Sequence, residues 1–390
     1  MSGDQGGRPR RAVVSDRGAA QGRTIANMRP PKLLGFVCCL VAAACGDDEG
    51  TRDASATTGS GASGSAGSGA GPGAGGTGSG AAGGSSSSAG GTGGGAPQGW
   101  ATLPPLPGGP RQETAVVALG GKVWVIGGFD GAAAVVDVVE VYDPASGTWS
   151  DGPALPTPLH HANAAVVGDR IWLLGHCRSA SFTSHGDVWS LDPEAGTWVE
   201  ATPMPVGTAR CASAVGALGE LVYLAGGLRG GDVPDVSVYD TVRDTWTVLG
   251  DLPGPRDHLV GGVADGTLFA VGGRTGGIEG LLGEVLAYDA AGDSWAPRAP
   301  MITPRGGAAA AVVGTRLFVI GGEGNPGAPS GVFPVNEAYD AATDSWAAHP
   351  PMPAPRHGTG AASVGGTIYV PGGADQQAFG AVATVESYTP

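Results

Sequence analysis

The chain has 390 residues, of which 74 are glycine and 31 are proline, and only 14% are charged. This composition excludes a coiled coil, and the formal net charge of −14 excludes a nucleic-acid binder that relies on a basic surface. Because 41% of the residues are apolar, the chain can still form a sizeable hydrophobic core.

The first recognisable pattern along the chain begins at Met28. Basic residues are followed by the apolar run LLGFVCCLVAAA and then by Cys45. This order resembles a bacterial lipoprotein signal peptide, and the run is too short to span a membrane comfortably. We therefore expect residues 28–44 to be a signal peptide and Cys45 to be lipidated. Since a signal peptide starts at the terminus, residues 1–27 are predicted to be an over-long gene start.

Residues 45–99 combine that cysteine with a linker. From residue 51 the segment is almost entirely Gly, Ser, Ala and Thr, which predicts a disordered tether because such residues cannot bury a core. About fifty of them would have an end-to-end distance of about 35–42 Å. We expect an exported protein of the bacterial cell envelope, held at the outer membrane or periplasmic face by its lipid anchor only.

Residues 100–390 contain a repeat marked by tryptophan. Its period of about 49 residues suits a four-stranded blade in a closed ring rather than a helical solenoid. The six tryptophans are Trp100, Trp149, Trp198, Trp246, Trp295 and Trp346. Each repeat also has a β-branched and aromatic run, predicting a buried strand, that ends in a glycine pair or its equivalent. These runs are VWVIGG (123–128), IWLLGH (171–176), VYLAGG (222–227), LFAVGG (268–273), LFVIGG (317–322) and IYVPGG (368–373).

The second half of the repeat is equally regular. In five repeats an aspartate, usually after tyrosine as in Tyr142-Asp143, stands six residues before the tryptophan. This spacing predicts a hairpin between a third and a fourth strand. We interpret the glycine pair as a place where backbone passes close to a bulky ring, with the tryptophan packed near it.

A glycine pair, then Tyr-Asp, then Trp resembles the kelch motif, and the resemblance covers residues 100–390. It implies an all-β fold, a six-bladed kelch β-propeller. The sixth repeat stops at Tyr388-Thr389-Pro390, before its own tryptophan, so we expect the strand around Trp100 to complete the last blade. Closure in this way leaves no open sheet edge between the first and last blades.

Five arginines occupy one phase of the repeat, sixteen residues before the first glycine, where the innermost strand begins. They are Arg111, Arg210, Arg256, Arg305 and Arg356, and the second repeat has Leu159 instead. In a propeller they would surround one mouth of the central channel. There they could bind an acidic ligand, since guanidinium pairs well with carboxylate. Alternatively, each arginine donates to backbone carbonyls and loop carboxylates of the neighbouring blade.

The second repeat is irregular in its histidines and cysteine. Imidazole and thiolate are good zinc or copper ligands, but these residues lack a recognised metal spacing, and we expect no cofactor. The candidates are His160, His161, His176 and His185. Copper proteins with a kelch-type fold, such as galactose oxidase, use tyrosine ligands that have no match here. Cys177 is predicted to form a disulfide with Cys211, in preference to two free thiols or a nucleophile.

No catalytic motif is evident in the sequence. Acidic residues near the expected mouth could act as general bases beside an arginine or could simply be solvated: Glu113, Asp257, Glu279, Glu323 and Asp375. We favour a binding module for a protein or glycan, with an acidic ligand preferred and no nucleic-acid partner. The alternative is an enzyme of acidic sugars, because a six-bladed kelch propeller also resembles the sialic-acid mutarotases.

Overall fold

Six four-stranded antiparallel sheets form the part of the chain that the computed structural model describes, residues 98–390. They are arranged as the blades of a β-propeller, which confirms the predicted fold. The proposed signal peptide, Cys45 and the linker up to residue 97 lie outside the described residues. Within residues 98–390 there is no helix with the length and apolarity needed to cross a membrane.

The strands follow one another from the channel outward in each blade. Blade 1 contains β3 (Ala115–Leu119), β4 (Lys122–Ile126), β6 (Val139–Asp143) and β7 (Thr148–Asp151), with β2 (Arg111–Gln112) and β5 (Phe129–Asp130) paired beside it. Blade 2 contains β8 (Ala164–Val167), β9 (Arg170–Arg178), β10 (Thr183–Asp192) and β11 (Thr197–Ala201). Blade 3 contains β12 (Ala214–Leu218), β13 (Leu221–Ala225), β14 (Val236–Asp240) and β15 (Thr245–Leu249).

The remaining blades repeat this order. Blade 4 contains β16 (Val260–Ala264), β17 (Thr267–Val271), β18 (Val285–Asp289) and β19 (Ser294–Arg298). Blade 5 contains β20 (Ala309–Val313), β21 (Arg316–Ile320), β22 (Asn336–Asp340) and β23 (Ser345–His349). Blade 6 contains β24 (Ala362–Val364), β25 (Thr367–Pro371) and β26 (Val385–Thr389), and its outer strand is β1 (Gly99–Leu103).

The ring is closed by this pairing of the two ends of the propeller. Strand β1 is antiparallel to β26, from Gly99 opposite Thr389 to Leu103 opposite Val385. Trp100 therefore lies opposite Tyr388, and its indole N–H donates to the Pro350 carbonyl of blade 5 at 2.8 Å. The predicted completion of the last blade is confirmed.

Each tryptophan connects its blade to the preceding blade. It does not pack near the glycine pair, which was the expectation from the sequence. Trp149 lies opposite Tyr142 in the hairpin, with ring centroids 5.0 Å apart. Its indole N–H donates to the Pro104 carbonyl at 3.0 Å. The other indoles make the same type of bond, for example Trp246 to the Thr202 carbonyl at 3.0 Å. The interpretation that tryptophan packs near the glycine pair was wrong, because its position on the outer strand places it far from the channel.

The glycine pairs instead accommodate the backbone of the next blade. A Cβ on Gly226, whose φ is +65°, would lie 2.8 Å from the Arg256 carbonyl oxygen. The neighbouring Gly227 donates its N–H to that same oxygen at 2.8 Å. Glycine is therefore required by a close backbone approach and by a left-handed conformation together. The predicted close approach exists, but the partner is a carbonyl and not an aromatic ring.

Candidate functional site

A closed ring of backbone hydrogen bonds surrounds the upper end of the channel. Each blade contributes the residue two positions after its arginine or, in blade 2, after Leu159. We call these six residues the inner ring: Glu113, His161, Ala212, His258, Gly307 and Gly358. Each donates its N–H to the carbonyl of the member from the preceding blade, and Glu113 completes the circle by donating to Gly358. Five of these six bonds measure 2.9–3.1 Å.

All six members of the inner ring have positive φ. Glycine tolerates this conformation in blades 5 and 6, but four blades place a residue with a side chain there, with φ between 49° and 55°. Left-handed backbone costs such residues about 1–2 kcal/mol each. Three of the four are ionisable: Glu113, His161 and His258. A strained backbone at three ionisable residues that face one cavity indicates a functional site.

These three side chains meet on the channel axis. His161 Nε2 lies 2.9 Å from Glu113 Oε2 and 3.0 Å from His258 Nε2. Burial of Glu113 opposes its ionisation, but His161, His357 and His258 outweigh this and hold the pKa of Glu113 below its ordinary value. Burial, and after it the charge of Arg274, lowers the pKa of His258.

A second layer of polar groups orients the cluster. His258 Nδ1 lies 2.6 Å from Asp257 Oδ1, and His161 Nδ1 lies 2.6 Å from His160 Nδ1. Burial, followed by the charge of His161, lowers the pKa of His160 to about 3, so this ring is neutral. Arg274 packs against His258 and forms ion pairs with Asp257 and Glu323.

Above the inner ring the mouth is rimmed by aromatic side chains from three blades. The cavity here has a volume of about 290 Å³, with Glu113, His161 and His258 in its floor. Phe129 of blade 1 lies between Phe182 of blade 2 and Phe379 of blade 6, at centroid distances of 6.2 and 6.3 Å. The site is thus an apolar rim above a polar, partly charged floor.

The five arginines do not line this mouth, which corrects the ligand-binding role predicted for them. Arg111, Arg210, Arg256, Arg305 and Arg356 are each 0–2% exposed. Their guanidinium groups point into their own blades. Arg356, for example, donates to the Gly372 and Val370 carbonyls at 2.7 and 2.8 Å. The arginines bond to backbone carbonyls and to carboxylates, as the alternative interpretation predicted. These partners belong to the same blade, however, and not to the neighbouring one.

Buried glutamates compensate the charge of three of these five arginines. Arg111, Arg305 and Arg356 pair with Glu140, Glu337 and Glu386 respectively. Each of these glutamates is on the third strand of its blade, three residues before the position of the aspartate in Tyr-Asp. The other blades differ. Blade 2 has Leu159 with Trp189 at these two positions, packed in one apolar cluster, and in blade 3 Arg210 donates to Ser237 Oγ at 2.9 Å. In blade 4 Leu286 replaces the glutamate, and Arg256 bonds instead to the exposed Glu284.

The four histidines of blade 2 do not all lie at one site. His176 stacks on His185 with centroids 5.7 Å apart, and it contacts Arg178 away from the inner ring. Of the four candidates only His161 joins the cluster, with His160 behind it. Sequence reasoning missed His258 as a partner, although His258 and His161 share the same phase after the arginine position.

The remaining predicted residues divide between the site and the surface. Glu113 and Glu323 line the mouth and Asp257 is buried behind His258, whereas Glu279 and Asp375 are exposed. Cys177 and Cys211 form a disulfide with their Cα atoms 5.5 Å apart, in the pairing predicted from the sequence. This bond links blade 2 to blade 3.

Known proteins share these repeats. The sequence model of the KLHDC2/KLHL20/DRC7 Kelch-repeats domain matches residues 100–250 and 213–387. Kelch-like protein terF of Aspergillus terreus is 34% identical over 297 residues, which is 71% of this chain and 65% of the Aspergillus protein. The Rab9 effector protein with kelch motifs of Gallus gallus is 35% identical over 177 residues, 40% of this chain and 45% of the chicken protein.

A further relative is alpha-scruin of Limulus polyphemus, 31% identical over 158 residues, 37% of this chain and 17% of scruin. The matched regions span less than two thirds of the length of each of these relatives. The match over residues 100–387, the six blades and the recurring glycine, Tyr-Asp and tryptophan positions together establish that the chain belongs to the kelch-repeat family.

Proposed function

We propose that the propeller is a protein-binding module that receives a segment of its partner in the mouth above the inner ring. The observation that carries this proposal is the rim formed by Phe129, Phe182 and Phe379. Aromatic side chains around a concave site supply large contact areas for a bound protein. The cavity of about 290 Å³ has room for a few side chains of such a segment.

The two outer phenylalanines of the rim are partly accessible to solvent. Phe379 is 41% exposed, and Phe182 has a φ of 56°, an uncommon conformation for a bulky residue. Burying such residues against a partner would recover apolar area that is now in contact with water. The expected ligand therefore inserts an apolar side chain between them.

Two observations favour a protein over an acidic glycan. Among the residues that line the mouth, Glu113 and Glu323 outnumber Arg274, which also pairs with the buried Asp257, so the site offers no surplus of positive charge. The chicken relative is named an effector of Rab9, which supports a protein as the type of ligand. The buried arginines are not accessible to an acidic sugar, so they give the enzyme alternative no support.

Site-specific cross-linking tests the proposal. A photoreactive amino acid is placed at Phe379 on the rim or, as the control, at Val248, which is 64% exposed on the outer strand β15. We expect a cross-linked protein from position 379 only. A synthetic peptide of the cross-linked segment should then bind the propeller, and Phe182→Ala should weaken it about 30-fold, corresponding to about 2 kcal/mol. Equal cross-linking from both positions, or unchanged affinity, would exclude the mouth as the site.

We also propose that the module is exported and held at the cell envelope by lipid on Cys45. The support is the basic and apolar order ahead of Cys45, together with the Cys177–Cys211 disulfide, which suits an oxidising compartment. Mass spectrometry of the protein from its native host provides the test. The expected N-terminal peptide begins at an acylated Cys45, and an unmodified peptide that extends through residue 44 would refute this.

A further inference from the structure

We propose that the inner ring holds a divalent transition-metal ion, bound by the Nε2 atoms of His161 and His258 and by the carboxylate of Glu113. This site does not depend on the protein-binding role, because it is formed by the fold of residues 98–390 alone. Two imidazoles and one carboxylate are a ligand set for such ions.

Two of the three separations between the ligand atoms fit one shared ion. They measure 2.9 and 3.0 Å, whereas the separation between His258 and Glu113 is longer but still within 4.8 Å. Ligand atoms about 2.1 Å from one ion, at angles of about 90–110°, lie about 3.0–3.4 Å apart. Small rotations of the side chains would therefore complete the coordination.

Hydrogen bonds on the outer side of the cluster turn lone pairs inward. His160 Nε2 must donate to the Ser179 carbonyl, 3.0 Å away, so in the neutral ring its Nδ1 is an acceptor. His161 Nδ1 then donates to His160, and His258 Nδ1 donates to Asp257. In their neutral forms His161 and His258 consequently present the lone pairs of their Nε2 atoms to each other across 3.0 Å, and Glu113 Oε2 lies 2.9 Å from His161 Nε2. Carboxylate–histidine contacts of this kind orient metal-binding imidazoles.

A single shared proton cannot form good hydrogen bonds among His161, His258 and Glu113 at the same time. One N–H on His161 Nε2 can point to Glu113 or to His258, but not well to both, because it lies along one direction in the plane of the ring. An ion in the middle would be bound by all three groups at once.

A fourth group independently faces the same carboxylate. His357 is 1% exposed, and its Nε2 lies 2.8 Å from the Gln376 carbonyl, to which it must donate. Its Nδ1 has no hydrogen-bond partner, although it lies 3.9 Å from Glu113 Oε1 and 3.7 Å from Glu323 Oε2. A buried, unpartnered nitrogen among carboxylates is expected beside a cation site.

The site is also accessible to an ion. Glu113, His161 and His258 line both the mouth above and the channel below the inner ring. Three protein ligands would leave coordination positions open toward these spaces. A water molecule or a group from a bound partner could occupy them.

The inner ring allows a ligand to be removed without disturbing the backbone. Gly307 and Gly358 already occupy this position in blades 5 and 6, so His161→Gly and His258→Gly remove a ligand without straining the backbone. Ala212→Gly is the matched control, because it makes the same backbone change in blade 3 and removes no ligand. Thermal unfolding of each protein verifies that the fold is retained.

The full chain is stripped with a chelator, dialysed and titrated with Zn²⁺ by calorimetry and with Co²⁺ by absorption spectroscopy. We expect one tight equivalent in the wild type and in Ala212→Gly. Each histidine variant should bind the metal ion at least about 100-fold more weakly. Loss of a residue that only orients a ligand already costs about 10–100-fold in metal affinity, and loss of the ligand itself should cost at least as much. Absence of a tight equivalent in the wild type, or undiminished affinity in both folded histidine variants, would overturn the proposal.

Discussion

Arginine just ahead of the inner strand acts as a structural residue that ties this segment to the second and third strands of its blade. Arg305 donates to the Thr303 and Val319 carbonyls and to Glu337, each at 2.7 Å. Burial lowers the pKa of Arg305, and Glu337 opposes this effect. Such a pair is stable only as long as both partners are present, because either charge alone would be buried without compensation.

We therefore expect Arg305→Ala to lower the free energy of unfolding by about 3–5 kcal/mol. The control is Arg316→Ala in the same blade, which removes an ion pair with Asp340 whose arginine is 53% exposed. This change should cost no more than about 1 kcal/mol. Urea denaturation of both variants measures the difference, and a similar small loss in both would contradict the structural role of Arg305.

The sequence placed these five arginines at one position of the repeat but did not predict their direction or their partners. They point into their own blades and not to the channel mouth. Three of them pair with Glu140, Glu337 and Glu386, which are 29 to 32 residues further along the chain and share a phase of their own. A search for acidic residues at one phase would have indicated pairing within the blade.

Contacts between blades depend on elements whose backbones approach closely. A Cβ on Gly321, with φ +68°, would lie 2.2 Å from the Arg356 carbonyl oxygen of the next blade. Gly314 has nearly the same φ, +63°, in the hairpin between β20 and β21, but has no atom within 4 Å of such a Cβ. Comparing the two glycines therefore separates two contributions to stability: the left-handed backbone, which both have, and the close approach of the next blade, which only Gly321 has.

Gly314→Ala should lower stability by about 1–2 kcal/mol through its left-handed backbone. Gly321→Ala should lose about 1–3 kcal/mol more, because the blades must also move apart. Thermal and urea unfolding of the two variants provide the comparison. Equal losses would mean that the glycine pair is needed for its conformation alone.

The disulfide is a second connection between neighbouring elements. Cys177 follows the glycine position of blade 2, and Cys211 follows Arg210 at the start of blade 3, 34 residues further along. Replacing both by alanine should lower the free energy of unfolding by about 2–4 kcal/mol, since the cross-link restricts the unfolded chain. Unfolding of the double variant and of the wild type, each with and without reductant, tests this. A wild type that is insensitive to reductant and equal to the variant would contradict the bond.

At the scale of the whole molecule, the repeat predicted the architecture but not the site. Tryptophan, glycine and Tyr-Asp spacing determined the number of blades and the closure through Trp100. The inner ring was not predicted, because its members share no residue type and are united only by φ and by hydrogen bonds between blades. Glu113 and His258 come together only because closure brings blades 1, 2 and 4 to one axis.

Recognition of a partner through the mouth is the central claim, and quantitative co-purification from the native host tests it most directly. The protein carrying Phe182→Ser and Phe379→Ser is compared with one carrying Val242→Ser and Val248→Ser, which changes exposed positions of blade 3 away from the mouth. We predict that the partner is retained by the wild type and the blade 3 variant and is lost from the rim variant. Retention by the rim variant, with loss from the blade 3 variant, would contradict the account.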